Sequence, residues 1–216
     1  MLRAAAILCL TVLPAEACET ALVLSVDVSG SIDEGDYLLQ IGGIASALSD
    51  PEVVEALVED QVALAVVQWS GVDGQAVVID WQRMLTADQV ADFADRAAHL
   101  SRAVQGSSTA VGEGLRFAMA QFAAVPDCRR KVVDISGDGQ ENAGFSDAKA
   151  RAEAIEAGII VNALAIEDAG AGAPITAYYR RWVITPGGFV FTARGLMDYP
   201  RTLRLKLLRE LTKPIG

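Results

Sequence analysis

Asp27, Ser29 and Ser31 set three hard oxygens at alternate positions of Asp27-Val-Ser-Gly-Ser31. They follow the apolar run Ala21 to Val26, which reads as a buried strand. Asp33, Glu34 and Asp36 come next, in the first turn of a helix pattern. Side chains at such a strand-to-helix junction lie where open α/β sheets bind ligands. Oxygen ligands on a turn bent by Gly30 suit a small hard cation such as Mg²⁺. Ser and Asp are also ordinary helix caps, so this motif alone leaves a capping role open. Two later segments bear on the choice. One is the polar loop Gln105-Gly-Ser-Ser-Thr109, ahead of a helix pattern. The other is Gly137-Asp138-Gly139, which ends the strand pattern Lys131 to Ser136.

The elements that must position these loops alternate along the chain. Tyr37, Ile41, Ile44 and Leu48 recur at helical spacing, and Asp50-Pro51 stops that helix. Gly42-Gly43 inside it suggests close packing against a sheet. A short helical turn follows at 52–58. Val62 to Trp69 reads as a second strand and Ala76 to Trp81 as a third, joined by the turn cluster 70–74 and close enough to pair as a hairpin. Thr86 caps a helix over 87–99, with Val90, Phe93, Ala97 and Leu100 inward. Another carries Val111, Leu115, Ala118 and Phe122 inward and breaks at Pro126. Ser146 caps a helix to about Ala157, which Gly158 closes. Ile159 to Ala165 is a fifth strand, 170–174 a loop, 175–182 a short helix and Phe189 to Thr192 a sixth strand. Leu196, Tyr199, Leu203, Leu207 and Leu211 mark a final helix, with Arg204 and Arg209 outward. This alternation predicts an α/β fold: a doubly wound, mostly parallel six-stranded sheet with one antiparallel edge strand and helices on both faces.

The chain has 216 residues, 52% hydrophobic and 21% charged, which suits one domain with a sizeable core. The net charge of −10 argues against nucleic acid or an anionic membrane surface as partner. Residues 1–17 have the form of a signal peptide, with Arg3, a short apolar run from Ala4 to Leu13, and Ala15-Glu-Ala17 as cleavage site. That run is too short to span a bilayer. A lipoprotein with Cys18 acylated ranks second, because Ala15 and Glu16 stand where a lipobox has Leu and a small residue. The expected mature domain is therefore 18–216, periplasmic or secreted.

Cleavage removes Cys9 and leaves Cys18 and Cys128 in a compartment that permits disulfides. Cys18 lies nine residues before Asp27 and Cys128 ten before Asp138. If those Asp end neighbouring parallel strands, the two Cys share the opposite edge, and a Cys18–Cys128 disulfide is expected.

Asp27-x-Ser29-x-Ser31, Thr109 and Asp138-Gly139 resemble, in order, type and spacing, the metal-ion-dependent adhesion site (MIDAS) of the von Willebrand factor A (vWA) domain family. The element order also matches, over nearly all of the mature chain. The resemblance implies that Ser29 and Ser31 coordinate a metal through their hydroxyls, and Thr109 directly or through water. Asp27 and Asp138 would act mostly through bound water. Mg²⁺ is the implied ion, with Mn²⁺ or Ca²⁺ as substitutes. A metal left without a direct carboxylate stays electrophilic and seeks an acidic sixth ligand, so the implied partner is a protein presenting Asp or Glu. Gly137 departs from the family, which often has Thr there. Asp134-Ile-Ser-Gly-Asp-Gly-Gln-Glu-Asn142, with Val67-Gln-Trp-Ser70, resembles a group of exported bacterial vWA-like proteins of uncharacterised function.

The same residues admit other functions. A vWA scaffold working without metal is one. A phosphatase-like hydrolase using Asp27 is another, but Ser29 stands where such enzymes carry a second Asp, and no Lys occurs between Ser31 and Arg130. There is no G-x-S-x-G, and neither Rossmann nor P-loop glycine patterns occur. His99, the one histidine, reads as a helix-flank residue, and Trp69, Trp81 and Trp182 as core or rim. Asp134, inside a central strand, reads as structural and requires a partner. Glu141 and Asn142 read equally as ligand face or solvated loop. No nucleophile–base pair stands out, so the expected function is binding rather than catalysis.

Overall fold

A computed structural model describes residues 18–144, 147–167 and 174–211. Residues 1–17, the expected Ser146 cap and most of the loop 170–174 lie outside these. Six strands form one sheet: β1 (Thr20–Asp27), β2 (Ala63–Trp69), β3 (Gln75–Arg83), β4 (Arg130–Gly137), β5 (Ile160–Glu167) and β6 (Val190–Arg194). Their order is β3-β2-β1-β4-β5-β6, with β3 antiparallel to β2 and every other pairing parallel. The fold class is therefore the expected mixed α/β sheet.

The period of two in the strands divides two cores. Leu22, Leu24, Val26, Leu64, Val66 and Val132 face one side. There they meet helices α1 (Glu34–Leu48), α2 (Pro51–Glu59), α3 (Ala87–Ala98) and α7 (Tyr199–Leu211). Ala21, Val23, Ala65, Val67, Val133 and Ile135 face the other. There they meet α4 (Val111–Ala120), α5 (Asp147–Glu156) and α6 (Ile175–Trp182). The strands β1 and β2 are buried throughout, as parallel strands covered on both faces must be.

Local chemistry sets the helix starts. Asp33 and Asp36 form a reciprocal capping box at α1. Asp50 caps α2 with Pro51 at its first position, so the segment expected as a short turn is a nine-residue helix. Thr86 accepts from Gln89 at α3. The glycine pair in α1 packs differently from expectation. A Cβ on Gly43 would stand 2.7 Å from the Tyr199 ring, while Gly42 faces open space. The missing side chain thus admits α7, not the sheet.

Cys18 and Cys128 are disulfide-bonded, with Cα atoms 4.4 Å apart. The Arg129 and Arg130 amides donate to the Cys18 and Glu19 carbonyls, so the bridge fastens the starts of β1 and β4. The bond consumes the Cys18 sulfur, which the acylated alternative needs free.

Candidate metal centre

Asp27 ends β1 and Gly137 ends β4, and these strands are neighbours with Val26 opposite Ser136. The winding therefore reverses between them. Three loops meet at this point: 28–33 after β1, 101–110 before α4, and 138–144 after β4.

The five expected residues are brought together. The Ser31 hydroxyl donates to Asp138 Oδ1 at 2.6 Å. The Ser29 and Ser31 hydroxyls are 3.4 Å apart, and the Thr109 hydroxyl donates to Ser29 Oγ at 3.3 Å. Asp27 Oδ1 accepts the Ser29 amide at 2.8 Å, which turns the chain back towards the sheet edge. Exposure rises across the set. Asp27, Ser29 and Thr109 are buried, Asp138 is half-buried and Ser31 is exposed. The cluster thus has a closed floor and one open side.

Electrostatics follow from that burial. Burial pushes the Asp27 carboxyl up to about 7, opposed by hydrogen bonds from Ser29 and reinforced by the charge of Asp138. Asp27 Oδ2 is buried and has no hydrogen-bond partner among the described residues. Such an atom calls for a cation or water. The donor set is all oxygen, three hydroxyls and two carboxylates. Oxygen atoms about 3 Å apart are the spacing of adjacent ligands around an octahedral hard cation, and 3.3–3.4 Å is close to it. These residues fit Mg²⁺, Mn²⁺ or Ca²⁺ better than a soft metal. Among the described residues no group of three or more His, Cys, Asp or Glu is placed to hold a metal ion.

The neighbouring loops are held by polar side chains whose partners lie far away in sequence. Asn142 Oδ1 accepts from the Thr109 amide at 2.8 Å, and the Asn142 amide donates back to Thr109 at 2.9 Å. Glu141 accepts from the Gly112 and Asp147 amides at 2.7 and 3.1 Å. Both side chains therefore lock loops together rather than present themselves as a ligand face. Gln68 donates to the Tyr37 hydroxyl at 2.8 Å and accepts from the Ala103 amide at 2.7 Å. Arg102 donates to the Ile32 and Asp33 carbonyls at 2.7 and 3.0 Å and lies over the Tyr37 ring. Arg102 thus braces the loop that carries Ser29 and Ser31, and Gln68 ties the loop that carries Thr109 to α1. Their only sequence signal is a polar residue in an apolar strand and a cation in a polar loop.

The glycine at 137 has a structural cause. A Cβ there would stand 2.6 Å from the Tyr179 hydroxyl and 2.8 Å from Asp27 Oδ2. Tyr179 of α6 is buried, and its hydroxyl has no hydrogen-bond partner among the described residues. It occupies the space a threonine would need. Gly30 likewise lets the first loop approach the second, since its Cβ would meet Ser107 Cα at 2.9 Å. His99 and Trp182 are exposed, Trp81 donates to the Gln121 carbonyl, and Trp69 is core.

Sheet order and helix layers are those of the vWA-like α/β fold. Solved vWA structures share this fold. A von Willebrand factor type A protein from Catenulispora acidiphila matches with a TM-score of 0.67 at 19% identity, over 93% of this chain and 44% of that one. The pilus adhesin SpaC from Lactobacillus rhamnosus GG matches with 0.66 at 15%, over 89% and 30%. Proximal thread matrix protein 1 from the mussel byssus, with a zinc-occupied MIDAS motif, matches with 0.65 at 20%, over 90% and 48%. The chain spans less than half the length of each. No curated protein matches it in sequence. Residues 17–215 match the family model described as "Protein of unknown function (DUF1194)", and the chain belongs to that family.

Proposed function

We propose that this chain is an exported, metal-dependent protein-binding domain. Asp27, Ser29, Ser31, Thr109 and Asp138 hold one divalent cation, Mg²⁺ in the first instance, and an acidic side chain of the partner completes its coordination. The observation that carries the reading is the convergence of five hard-oxygen side chains at one sheet edge, with the orphaned Asp27 Oδ2 on the buried side and Ser31 on the open side. Two carboxylates balance the ion's charge, while the open side leaves room for an anionic ligand. The adhesin and zinc-bound MIDAS structures among its fold relatives support the same reading. Export rests on the form of residues 1–17 and on the disulfide. Among the described residues no helix is long and apolar enough to cross a membrane.

The hydrolase alternative has less support. Asp27 is fully buried and its Oδ1 is held by the Ser29 amide, so a phosphoryl group has no in-line approach to it. The test uses acetate and an Asp-containing peptide as probes of the open coordination position. With Mg²⁺ or Mn²⁺ present the domain binds them, and chelator or Asp138→Ala abolishes the binding. Equal binding with chelator would contradict the proposal.

A further inference from the structure

A second cluster of chemistry-bearing side chains lies between α7 and the sheet face it covers. Lys206 of α7 is fully buried, with Nζ 2.5 Å from Asp134 Oδ1 of β4 and 2.6 Å from Glu210 Oε1. Side-chain exposures of these residues are 0%, 2% and 1%. Asn162 of β5, beside Asp134 in the sheet, donates to Glu210 Oε1 at 2.8 Å. The Phe189 ring closes another side, 5.6 Å from Nζ. Leu24, Val132, Leu164, Leu203 and Leu207 belong to the apolar core on this face.

Two carboxylates against one ammonium are a poor buried arrangement, because full ionisation leaves an uncompensated charge in an apolar core. Burial, then the Asp134 charge, pushes the Glu210 carboxyl up to about 8, so near neutrality Glu210 holds a proton. The Lys206–Asp134 contact is also unlike an ordinary ion pair. Nζ approaches Oδ1 off the hydrogen-bonding direction, and neither Asp134 oxygen has a hydrogen-bond partner among the described residues. A desolvated lysine is a nucleophile once it loses its proton. A buried pair held in contact can react with an effective molarity of roughly 10⁵–10⁸ M.

We propose that Lys206 and Asp134 condense into an intramolecular isopeptide bond, with Glu210 as the proton carrier. Proton transfer within the cluster leaves a neutral Lys206 amine and a protonated Asp134 carboxyl. Nζ attacks Asp134 Cγ and the Nζ–Cγ bond forms. The protonated Glu210 gives its proton to the departing hydroxyl and takes back the one that nitrogen releases. The Cγ–Oδ bond breaks and one water leaves. No oxidant, cofactor or second substrate is required. The product removes the buried charge pair and ties α7 covalently to β4, four residues before Asp138. Asn162 is the less suitable acceptor, because its Nδ2 is engaged by Glu210 and its Oδ1 by the Phe189 amide.

Mass spectrometry of the intact wild-type protein tests this directly. The expected mass is about 18 Da below that of the disulfide-bonded sequence, the water lost in condensation. Trypsin should then yield Val132–Lys149 joined to Leu205–Arg209, with no cleavage after Lys206. A succinimide at Asp138-Gly139 gives the same loss without joining two peptides, so the joined peptide decides. Lys206→Arg should restore the full mass, and the near-isosteric Glu210→Gln should leave most of the protein unjoined. Full wild-type mass with ready cleavage after Lys206 would overturn the proposal, and Glu210→Gln joined as completely as wild type would overturn the role of Glu210.

Discussion

The Ser31 hydroxyl donates to Asp138 Oδ1 across 2.6 Å, joining the loop after β1 to the loop after β4. Residues 107 positions apart meet because β1 and β4 are neighbours in the sheet, with their ends at one level. The proposed cation sits where these two side chains converge with Ser29 and Thr109. Ser31→Ala removes one hydroxyl at the exposed rim, so it should weaken Mn²⁺ binding on the order of tenfold, in line with a lost hydrogen bond to a charged group. The fold should be retained, with a melting temperature near that of the wild type in chelator. Titration calorimetry and a thermal scan check both halves.

Asp27 has a pH signature in the metal-free protein. Its folded-state carboxyl is pushed up to about 7 from an ordinary 3.8, chiefly by burial. An acid raised in this way stabilises the fold fully below its unfolded value, and that contribution is lost as pH rises through about 7. In chelator, wild type should therefore lose stability between about pH 4 and pH 7 relative to Asp27→Asn, which carries no charge there. Thermal melts across that range measure it. Parallel pH profiles for the two proteins would count against a buried, unpaired Asp27.

Gly137 and Tyr179 compete for one space. Gly137→Ala should destabilise by about 1–3 kcal/mol, the cost of overpacking, because its Cβ would meet the Tyr179 hydroxyl and Asp27. Tyr179→Phe in the same chain should recover part of that loss. Denaturant unfolding of Gly137→Ala, Tyr179→Phe and the double variant gives the coupling.

Much of this was legible in the sequence, and the reasons differ by element. Strands covered on both faces read as continuous apolar runs, so β1, β2 and β5 are visible. The Cys spacing predicted a bridge once Asp27 and Asp138 were placed on neighbouring strands. The five site residues meet because each stands at an element end, where position along the chain fixes position in space. Lys206 and Glu210 were not legible. The leucine period of α7 marks one face and carries no signal for the two charged residues beside it, whose partners Asp134 and Asn162 lie on distant strands. Gly42-Gly43 suggests contact with the sheet, because sequence does not say that α7 lies across α1. Gln68 looks like a polar interruption of β2, and its amide partners, Tyr37 of α1 and Ala103 of the loop before α4, lie more than thirty residues away.

Gln68 accordingly offers a test of support without contact. Gln68→Ala leaves the Tyr37 hydroxyl and the Ala103 amide without partners, at a cost of about 1–3 kcal/mol. Metal affinity should fall although Gln68 is not among the proposed ligands. Melting and Mn²⁺ titration of this variant, compared with a surface control such as Val77→Ala, separate support from general destabilisation.

The disulfide closes a separation of 110 residues. Its removal by Cys18→Ser with Cys128→Ser should cost about 2–5 kcal/mol and lower the melting temperature on the order of 10 °C. Because the bridge lies at the edge opposite the metal centre, metal affinity below the melting range should be unchanged.

Isothermal titration of the metal-stripped domain, residues 18–216, with Mg²⁺, Mn²⁺ and Ca²⁺ tests the central claim most directly. The expected result is one equivalent bound, tightened by acetate or an acidic peptide, and lost in Asp27→Ala and Asp138→Ala. No binding of any of the three ions, with or without acetate, would contradict it.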